Sequence, residues 1–590
     1  MRDNDIVFFN IHRRYLNHVP SYGGFLGIYI LAAFVNENGW RGQAFSGALA
    51  ESREIIDEMC EAGKVRMIGL YCDYANVTET CRVSCHIKET YGIPVLVGGP
   101  QATSLKEEFF RESRCDAVVC YEGELTVLAL MDFFLDGTGA LADIAGIACL
   151  RGDKLARTAA RMPIENLDAL PFVDEECYLL PERRWRGLSL MTGRGCPFHC
   201  AFCHEGHLSR RVRFRSVENV LAEIDIFLAS LPSEEVPYIL FTDDAFTLDE
   251  RRVQAICAGL RERRKERPFH WFCEGHVHTL KKHPAMIEAM VEAGLLRIQL
   301  GIESGVQRVL DAYRKNTTPE EIKEVVAACR DAGIQQIYGN IILGSAFFSE
   351  ETYVEDLAFG KELIELGQGT LELGVVSYWP LPETSMTKAP EQYGLRIVDY
   401  DFHTSLDDFP QTETADFDRW QIFGKMRHME REFARRREEM LLARRVPLER
   451  MTSWYSLLHA AKAYGLWWQS LQKLPHVYAY GDMIASGEAM PGEEARDLGE
   501  KAHPMRVLSL NQYLEVVEAG GGNIAGVELD AAALEVLVLA TGRKNCRWIY
   551  EELKGRGVFT SYGEMREVLQ RLEADFLLVY SREIFLEDEG

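Results

Sequence analysis

Short apolar runs alternate with amphipathic stretches along the first 145 residues. Asp5–Asn10 (DIVFFN) reads as a strand, and Gly23–Gly39 (GGFLGIYILAAFVNENG) as the helix after it, ending at a glycine. Arg66–Tyr71 (RMIGLY), Ile93–Gly99 (IPVLVGG) and Cys115–Gly123 (CDAVVCYEG) are further strands. Each runs straight into polar or glycine-rich residues, the pattern of a parallel, doubly wound, flavodoxin-like α/β sheet over residues 1–145. Such sheets bind ligands in the crevice at the carboxyl ends of their strands, so the loops beginning at Asn10, Tyr71, Gly98 and Tyr121 matter most.

Residues 146–183 hold a proline-flanked connector, PIENLDALPFVDEECYLLP. A second strand–helix series follows over 184–395, with strands in LSLMTG, YILFTDD, HWFCEG, LRIQLGIES, IYGNIILG and LGVVSYWP. Six strands with intervening helices predict a partial (β/α)6 barrel, whose chemistry belongs at the strand C-termini. Residues 396–525 read as a helical region with charged, solvated faces such as HMEREFARRREEMLLARR. Residues 526–590 read as three helices and an apolar hairpin, FLLVYSREIFLE, a winged-helix-like tail.

Composition narrows the function. The net charge is −25, and residues 525–590 hold eight basic against thirteen acidic residues. Both disfavour a nucleic-acid partner, and a DNA-reading wing would need the opposite sign. No apolar run reaches the length of a membrane span and the N-terminus is no signal peptide, so a cytoplasmic protein is expected. In a reducing compartment, a tight group among fifteen cysteines points to metal or catalysis, and the rest to small buried hydrophobes.

That group is GRGCPFHCAFCHE, Gly193–Glu205, with Cys196, Cys200 and Cys203. Zinc wants four ligands, and His204 could complete a Cys3His set, but adjacent Cys203 and His204 cannot easily point at one ion. A cubane iron–sulfur cluster held by three thiolates instead leaves one iron open to a small molecule. CxxxCxxC with Phe202 before the last cysteine, after the first barrel strand, resembles the radical S-adenosylmethionine (SAM) superfamily. The resemblance implies a [4Fe–4S] cluster on the three cysteines, SAM on the open iron, and an external flavodoxin- or ferredoxin-like electron donor. It also implies SAM contacts from Phe202, from Asp243 and Asp244 in FTDDAF, from Glu303 and Ser304 in LGIESG, and from Ile341 and Leu343 in NIILGS. Helix capping is the alternative for either aspartate, and a helix N-terminal carboxylate for Glu303. WPLPET departs from the family by placing Glu383 where glycine is usual.

The sheet in front resembles the cobalamin-dependent (class B) branch, through VGGPQAT, CYEGELT and the linker ENLDALPF. The likeness covers residues 5–395 and implies cobalamin contacts from Asn10, Tyr71, Gly98, Gly99, Pro100, Gln101, Glu122, Gly123 and Glu124. Glycines would let the backbone approach a large flat ligand. His12 lies in a loop that departs from the cobalt-binding histidine pattern, with asparagine and tyrosine replacing its aspartate and glycine, and reads as an ordinary loop histidine. The implied reaction is methyl transfer to an unactivated carbon through methylcobalamin and a 5′-deoxyadenosyl radical, on a small-molecule or peptide substrate. Three alternatives stand beside it. One is cobalamin-dependent cyclisation or rearrangement without methyl transfer. Another is a two-cluster methylthiotransferase using Cys81, Cys115 and Cys149, although Cys149 reads as lying past the sheet. The third is a non-enzymatic zinc protein. Cys273, His276 and His278 sit at a barrel strand end, where the two histidines at i, i+2 would share a side.

Overall fold

Strand β1 (Asn4–His12) is apolar without alternation: Ile6, Val7, Phe8, Phe9 and Ile11 are all buried. Continuous burial is what a central parallel strand requires, because helices cover both faces. Its alternate side chains feed two cores, Val7, Phe9 and Ile11 into one and Ile6 and Phe8 into the other. In this computed structural model β1 pairs with β2 (Gly42–Ala48) and β3 (Val65–Tyr71). Strands β4 (Val95–Gly98), β5 (Ala117–Val119), β6 (Ile147–Arg151) and β7 (Lys154–Arg157) complete the order β2-β1-β3-β4-β5-β6-β7. β1 to β5 run parallel, and β6 and β7 are antiparallel. The structure describes residues 3–12, 26–184, 187–204, 211–232, 236–398, 409–453, 465–516 and 521–582.

Three sequence expectations change. GQAFSGA forms β2, although its small residues gave no strand signal. A Cβ on Gly42 would meet Val35 at 2.4 Å, so glycine there lets helix Leu26–Glu37 close on the sheet. The boundary at 145 also lies inside the sheet, which runs to Arg157. Cys149 is therefore a sheet residue. Its neighbour Ala148 faces the core holding Cys81 and Cys115, so Cys149 points to the opposite face. The three thiols do not converge. The connector then returns to cover the edge of β2: Leu179 N–H donates to Ala44 O at 3.0 Å and Tyr178 stacks on Tyr29.

The second sheet contains β8 (Leu188–Leu190), β11 (Tyr238–Phe241), β12 (His270–Gly275), β13 (Leu295–Leu300), β14 (Gln336–Leu343) and β15 (Leu371–Ser377), in the order β15-β14-β13-β12-β11-β8. This is the expected six-stranded partial barrel. A two-stranded hairpin, β9 (Gly193–Arg194) with β10 (Arg213–Phe214), follows β8 and frames the cysteine run.

Chain contacts define two units, Met1–Phe359 with Gly374–Met429, and Gly360–Leu373 with Glu430–Gly590. In the second unit three capped helices, Ala531–Leu539, Cys546–Gly555 and Tyr562–Ala574, precede strand Leu578–Ser581. That strand is central, between Ala489–Met490 and Pro504–Arg506, so the expected boundary at 525 falls too late. The second arm of the expected hairpin lies outside the described residues. Helix Arg419–Leu442 is charged as expected, yet Arg437 is buried and donates to Ser470 Oγ. No helix among the described residues is long and apolar enough to cross a membrane.

Gly99 has φ +116°, and a Cβ there would sit 2.5 Å from Cys72 O. Gly92, at φ +69°, has nothing within 4 Å. Gly99→Ala should therefore cost about 1–3 kcal/mol or more of stability, and Gly92→Ala about 1 kcal/mol or less. Thermal melts of the two variants check the order; equal losses would contradict the packing.

Candidate functional site

Four charged side chains meet where the first sheet abuts the barrel. Glu122 accepts from Arg213 through both oxygens, from the Ile164 amide at 2.9 Å, and pairs with Arg194 at 3.5 Å. Glu124 accepts from Arg194 at 2.5 Å. Burial alone would raise the Glu122 carboxyl, but Arg213 and Arg194 hold it below its ordinary value. These carboxylates were expected to face cobalamin. Both clamp the hairpin from which the cysteine loop emerges, and Glu122 also lines the cavity described below.

Within the loop, Ala201 is fully buried, donating its amide to Tyr313 O and accepting from the Met386 amide. Phe202 packs edge-on against Tyr313 at 4.9 Å. Cys196, Cys200 and Cys203 are part-exposed, whereas ten of the other twelve cysteines are buried. Burial pushes the Cys196 and Cys200 thiols up, and Lys315 opposes this at both. His204 is buried and turned toward Pro100 and Pro382, away from a shared ligand set with its neighbour Cys203. Among the described residues no three His, Cys, Asp or Glu side chains are grouped to hold one ion. A cubane needs no such convergence, since each thiolate takes its own iron.

Asp243 does not face the loop's ligand side. It accepts from the Thr192 amide at 2.6 Å and from the Thr192 hydroxyl, while Arg252 donates to Thr192 O at 2.7 Å. It braces the start of the loop. Asp244 does line the open side, where burial and then Asp243 raise its pKa to about 6. Glu274 on β12, unpredicted, is raised to about 7 by burial and then Asp244. Glu303 stands after β13 in a left-handed conformation, φ +63°, pinned by backbone bonds to Asn340 and Ile342. Its Oε1 accepts from Lys315 Nζ at 2.9 Å. Burial would lower the Lys315 pKa, but Glu303, Cys200 and Cys203 outweigh it and raise it. A Cβ on Gly301 would lie 2.2 Å from Lys315 Nζ, so the pair crosses bare backbone. Sequence reading missed Lys315 because it follows a helix rather than a strand.

Other expected contacts turn away. Ser304 Oγ donates to Asp356 and accepts from the Val306 amide, a buried structural role. Ile341 and Leu343 are fully buried on one face of β14, whereas Tyr338, Asn340 and Ile342 line the other. Ile342, not its neighbours, packs on the cluster of Ala201, Tyr313 and Tyr378 that Phe202 also joins. Cys273 is fully buried. His276 stacks on Phe198 at 3.8 Å and caps the helix on which exposed His278 stands, so the two histidines do not share a side. Glu383 holds φ +65°, keeping the backbone shape that glycine would supply.

On the sheet side, Asn10 is buried, donating to Ser46 and accepting from Asn76. Its side chain ties β1 to β2 and to the loop after β3. Tyr71 lies against Gly99, and Gly123 packs near Leu31 and Val119. The Cys72 backbone alone requires glycine at 99. Gln101 is buried with Oε1 unpartnered among the described residues. The His12 side chain lies outside the described residues. A cavity of about 550 Å³ runs from Gly99, Pro100, Thr103 and Tyr121 to Met191, Gly195, Thr242 and Asp244. The residues fit the implied groups: three part-exposed thiols for a cluster, an acid–ammonium pair for an amino acid, and a glycine-rich loop, Gly99 and Pro100, lining a cavity for a corrinoid.

Glu122→Gln strips charge from a pair that is mostly buried, with side-chain exposures of 5% for Arg213 and 20% for Glu122. The loss should fall toward the lower end of roughly 3–5 kcal/mol. A carboxylate with a lowered folded pKa contributes stability above the ordinary glutamate value, near about 4.3, and loses it as pH falls through the folded value. Wild type and Glu122→Gln should therefore differ at pH 7 and converge progressively as pH falls below the ordinary glutamate range. Melts that coincide at pH 7 would contradict the clamp.

Residues 190–359 match the radical SAM superfamily, and residues 13–131 match the B12 binding domain. An uncharacterized methyltransferase of Pyrococcus horikoshii is 32% identical over 47% of this chain and 60% of its own. An anaerobic magnesium-protoporphyrin IX monomethyl ester cyclase of Cereibacter sphaeroides is 27% identical over 40% of each chain. The chain thus spans about half the length of these relatives. The cobalamin-dependent SAM radical enzyme OxsB, solved with aqua-cobalamin and SAM bound, shares the fold at a TM-score of 0.61 and 16% identity, over 97% of this chain and 84% of that one. The cofactors these domains carry are a [4Fe–4S] cluster, SAM and cobalamin. The chain thus carries a B12 binding domain followed by a radical SAM domain, the order of domains in a cobalamin-dependent radical SAM enzyme.

Proposed function

We propose that the chain is a methyltransferase that places a methyl group on an unactivated carbon. The observation that carries this is that Lys315 pairs with Glu303 and acts on the Cys196 and Cys200 thiols, while Gly195, next to Cys196, and Asp244 line the cavity that reaches Gly99 and Pro100 of the cobalamin-side loop. When bound, the cluster and SAM supply a 5′-deoxyadenosyl radical, and the corrinoid carries the methyl group.

The chain's own residues bind and orient. Cys196, Cys200 and Cys203 would hold three irons of the cluster. Lys315 would take the SAM carboxylate, and Asp244 and Glu303 its ammonium and ribose hydroxyls. Phe202 and Ile342 pack beside them. Gly98, Gly99, Pro100 and Gln101 would form the loop that meets the corrin. Residues 3–157 form the cobalamin-binding domain and 188–395 the barrel. Reduction comes from an external flavodoxin- or ferredoxin-like protein in the cytoplasm. The substrate is a small molecule or peptide; an acidic chain of net charge −25 does not suit nucleic acid.

The relatedness to a cyclase favours one second reading, a corrinoid-dependent cyclisation or rearrangement. Product mass separates the two: a gain of one CH₂, or none.

Alanine at Cys196, Cys200 or Cys203 should abolish 5′-deoxyadenosine release from reconstituted protein, read by chromatography. Retained release in any of the three would end the account. Lys315→Ala should weaken SAM about 10- to 100-fold, the worth of one hydrogen bond to a charged group, in equilibrium binding. Ser304→Ala should leave SAM affinity unchanged. Equal SAM affinity in wild type and Lys315→Ala would contradict the assignment of Lys315.

A further inference from the structure

Three arginines line the cavity between the first sheet and the barrel: Arg161, Arg194 and Arg211. Arg194 is neutralised by Glu122 and Glu124, and Arg211 pairs with Glu165 at 2.5 Å. Arg161 differs. Its Nε donates to Thr126 Oγ1 at 2.7 Å and to Ala145 O at 3.3 Å, which fixes the stem. Among the described residues no carboxylate pairs with it, and neither terminal nitrogen has a partner. Burial lowers its pKa with no acid nearby to offset the effect.

A guanidinium stays charged in proteins, so this cation cannot escape by losing its proton. Around it the cavity wall is largely apolar, through Leu26, Ile30, Pro100, Pro163 and Met191. A held stem with two free nitrogens in a half-dry cavity matches the planar, bidentate geometry of a carboxylate or phosphate. We propose that Arg161 recognises an anionic oxygen group, phosphate or carboxylate, on the molecule that fills this cavity. Two molecules could bring that group: the nucleotide-loop phosphate of cobalamin, or an acidic substituent of the substrate. Thr126 stands in the first turn of the helix that follows Glu122-Gly123-Glu124, so Arg161 also ties this site to the clamp.

The test compares full-length wild type, Arg161→Gln and Arg161→Lys. Each is titrated with hydroxocobalamin and with dicyanocobinamide, which has the same corrin without the nucleotide loop and its phosphate. If the phosphate is the partner, Arg161→Gln binds cobalamin about 10-fold or more weakly, cobinamide is unaffected, and Arg161→Lys recovers part of the loss. If the substrate is the partner, both corrinoids bind all three proteins alike. Phenyl phosphate or benzoate then binds corrinoid-loaded wild type and not Arg161→Gln. Two results overturn the proposal: no difference between wild type and Arg161→Gln for either corrinoid or either anion, or equal weakening of both corrinoids in both variants, which marks a structural prop. Should wild type take up no corrinoid, that failure counts against the cobalamin reading. The anion titration on the corrinoid-free chain then decides Arg161 alone.

Discussion

The buried meeting of Arg194 and Arg213 with Glu122 and Glu124 is the constraint on which the site depends. Taking four charges out of water is expensive, and an apolar replacement could be as stable. What a charged cluster supplies here is registry. Arg194 stands two residues before Cys196, and Arg213 lies across the hairpin from it. Both are gripped by the loop that follows β5. The cysteine loop is therefore placed by the first sheet as well as by its own barrel, and the carboxyl ends of both strand sets open on one cavity.

Inside that frame the rim is rich in acid. Asp244 and Glu274 are raised to about 6 and about 7 because each is buried near another carboxylate. Lys315 alone sits among Glu303, Cys200 and Cys203, whose negative forms keep it charged. A rim of this sort suits a ligand that is cationic overall and carries one carboxylate, the charge pattern of SAM. Asp243 is spent differently, on Thr192, so the two adjacent aspartates divide support from recognition.

Much of this was legible in the sequence because strong local signals carry it. Strand periodicity gave both sheets, and three cysteines in eight residues gave the cluster loop. What was hidden depends on pairing at long range. Glu122 and Glu124 look like ligand residues until Arg213 is brought across ninety positions of chain. Ile342 replaces Ile341 and Leu343 because a strand alternates faces, and a one-residue error reverses the side. Lys315 had no motif to announce it. β2 was hidden by small residues chosen for helix packing, and Leu578–Ser581 found partners some eighty residues upstream rather than in a hairpin.

The claim that the clamp holds cluster and corrinoid face to face across one cavity has a direct test. The reduced [4Fe–4S] cluster and cob(II)alamin are both paramagnetic, and their magnetic coupling falls steeply with distance. Electron paramagnetic resonance of wild-type protein carrying both is predicted to show spectra broadened or split relative to samples carrying one alone. A spectrum equal to the simple sum of the two would contradict the account.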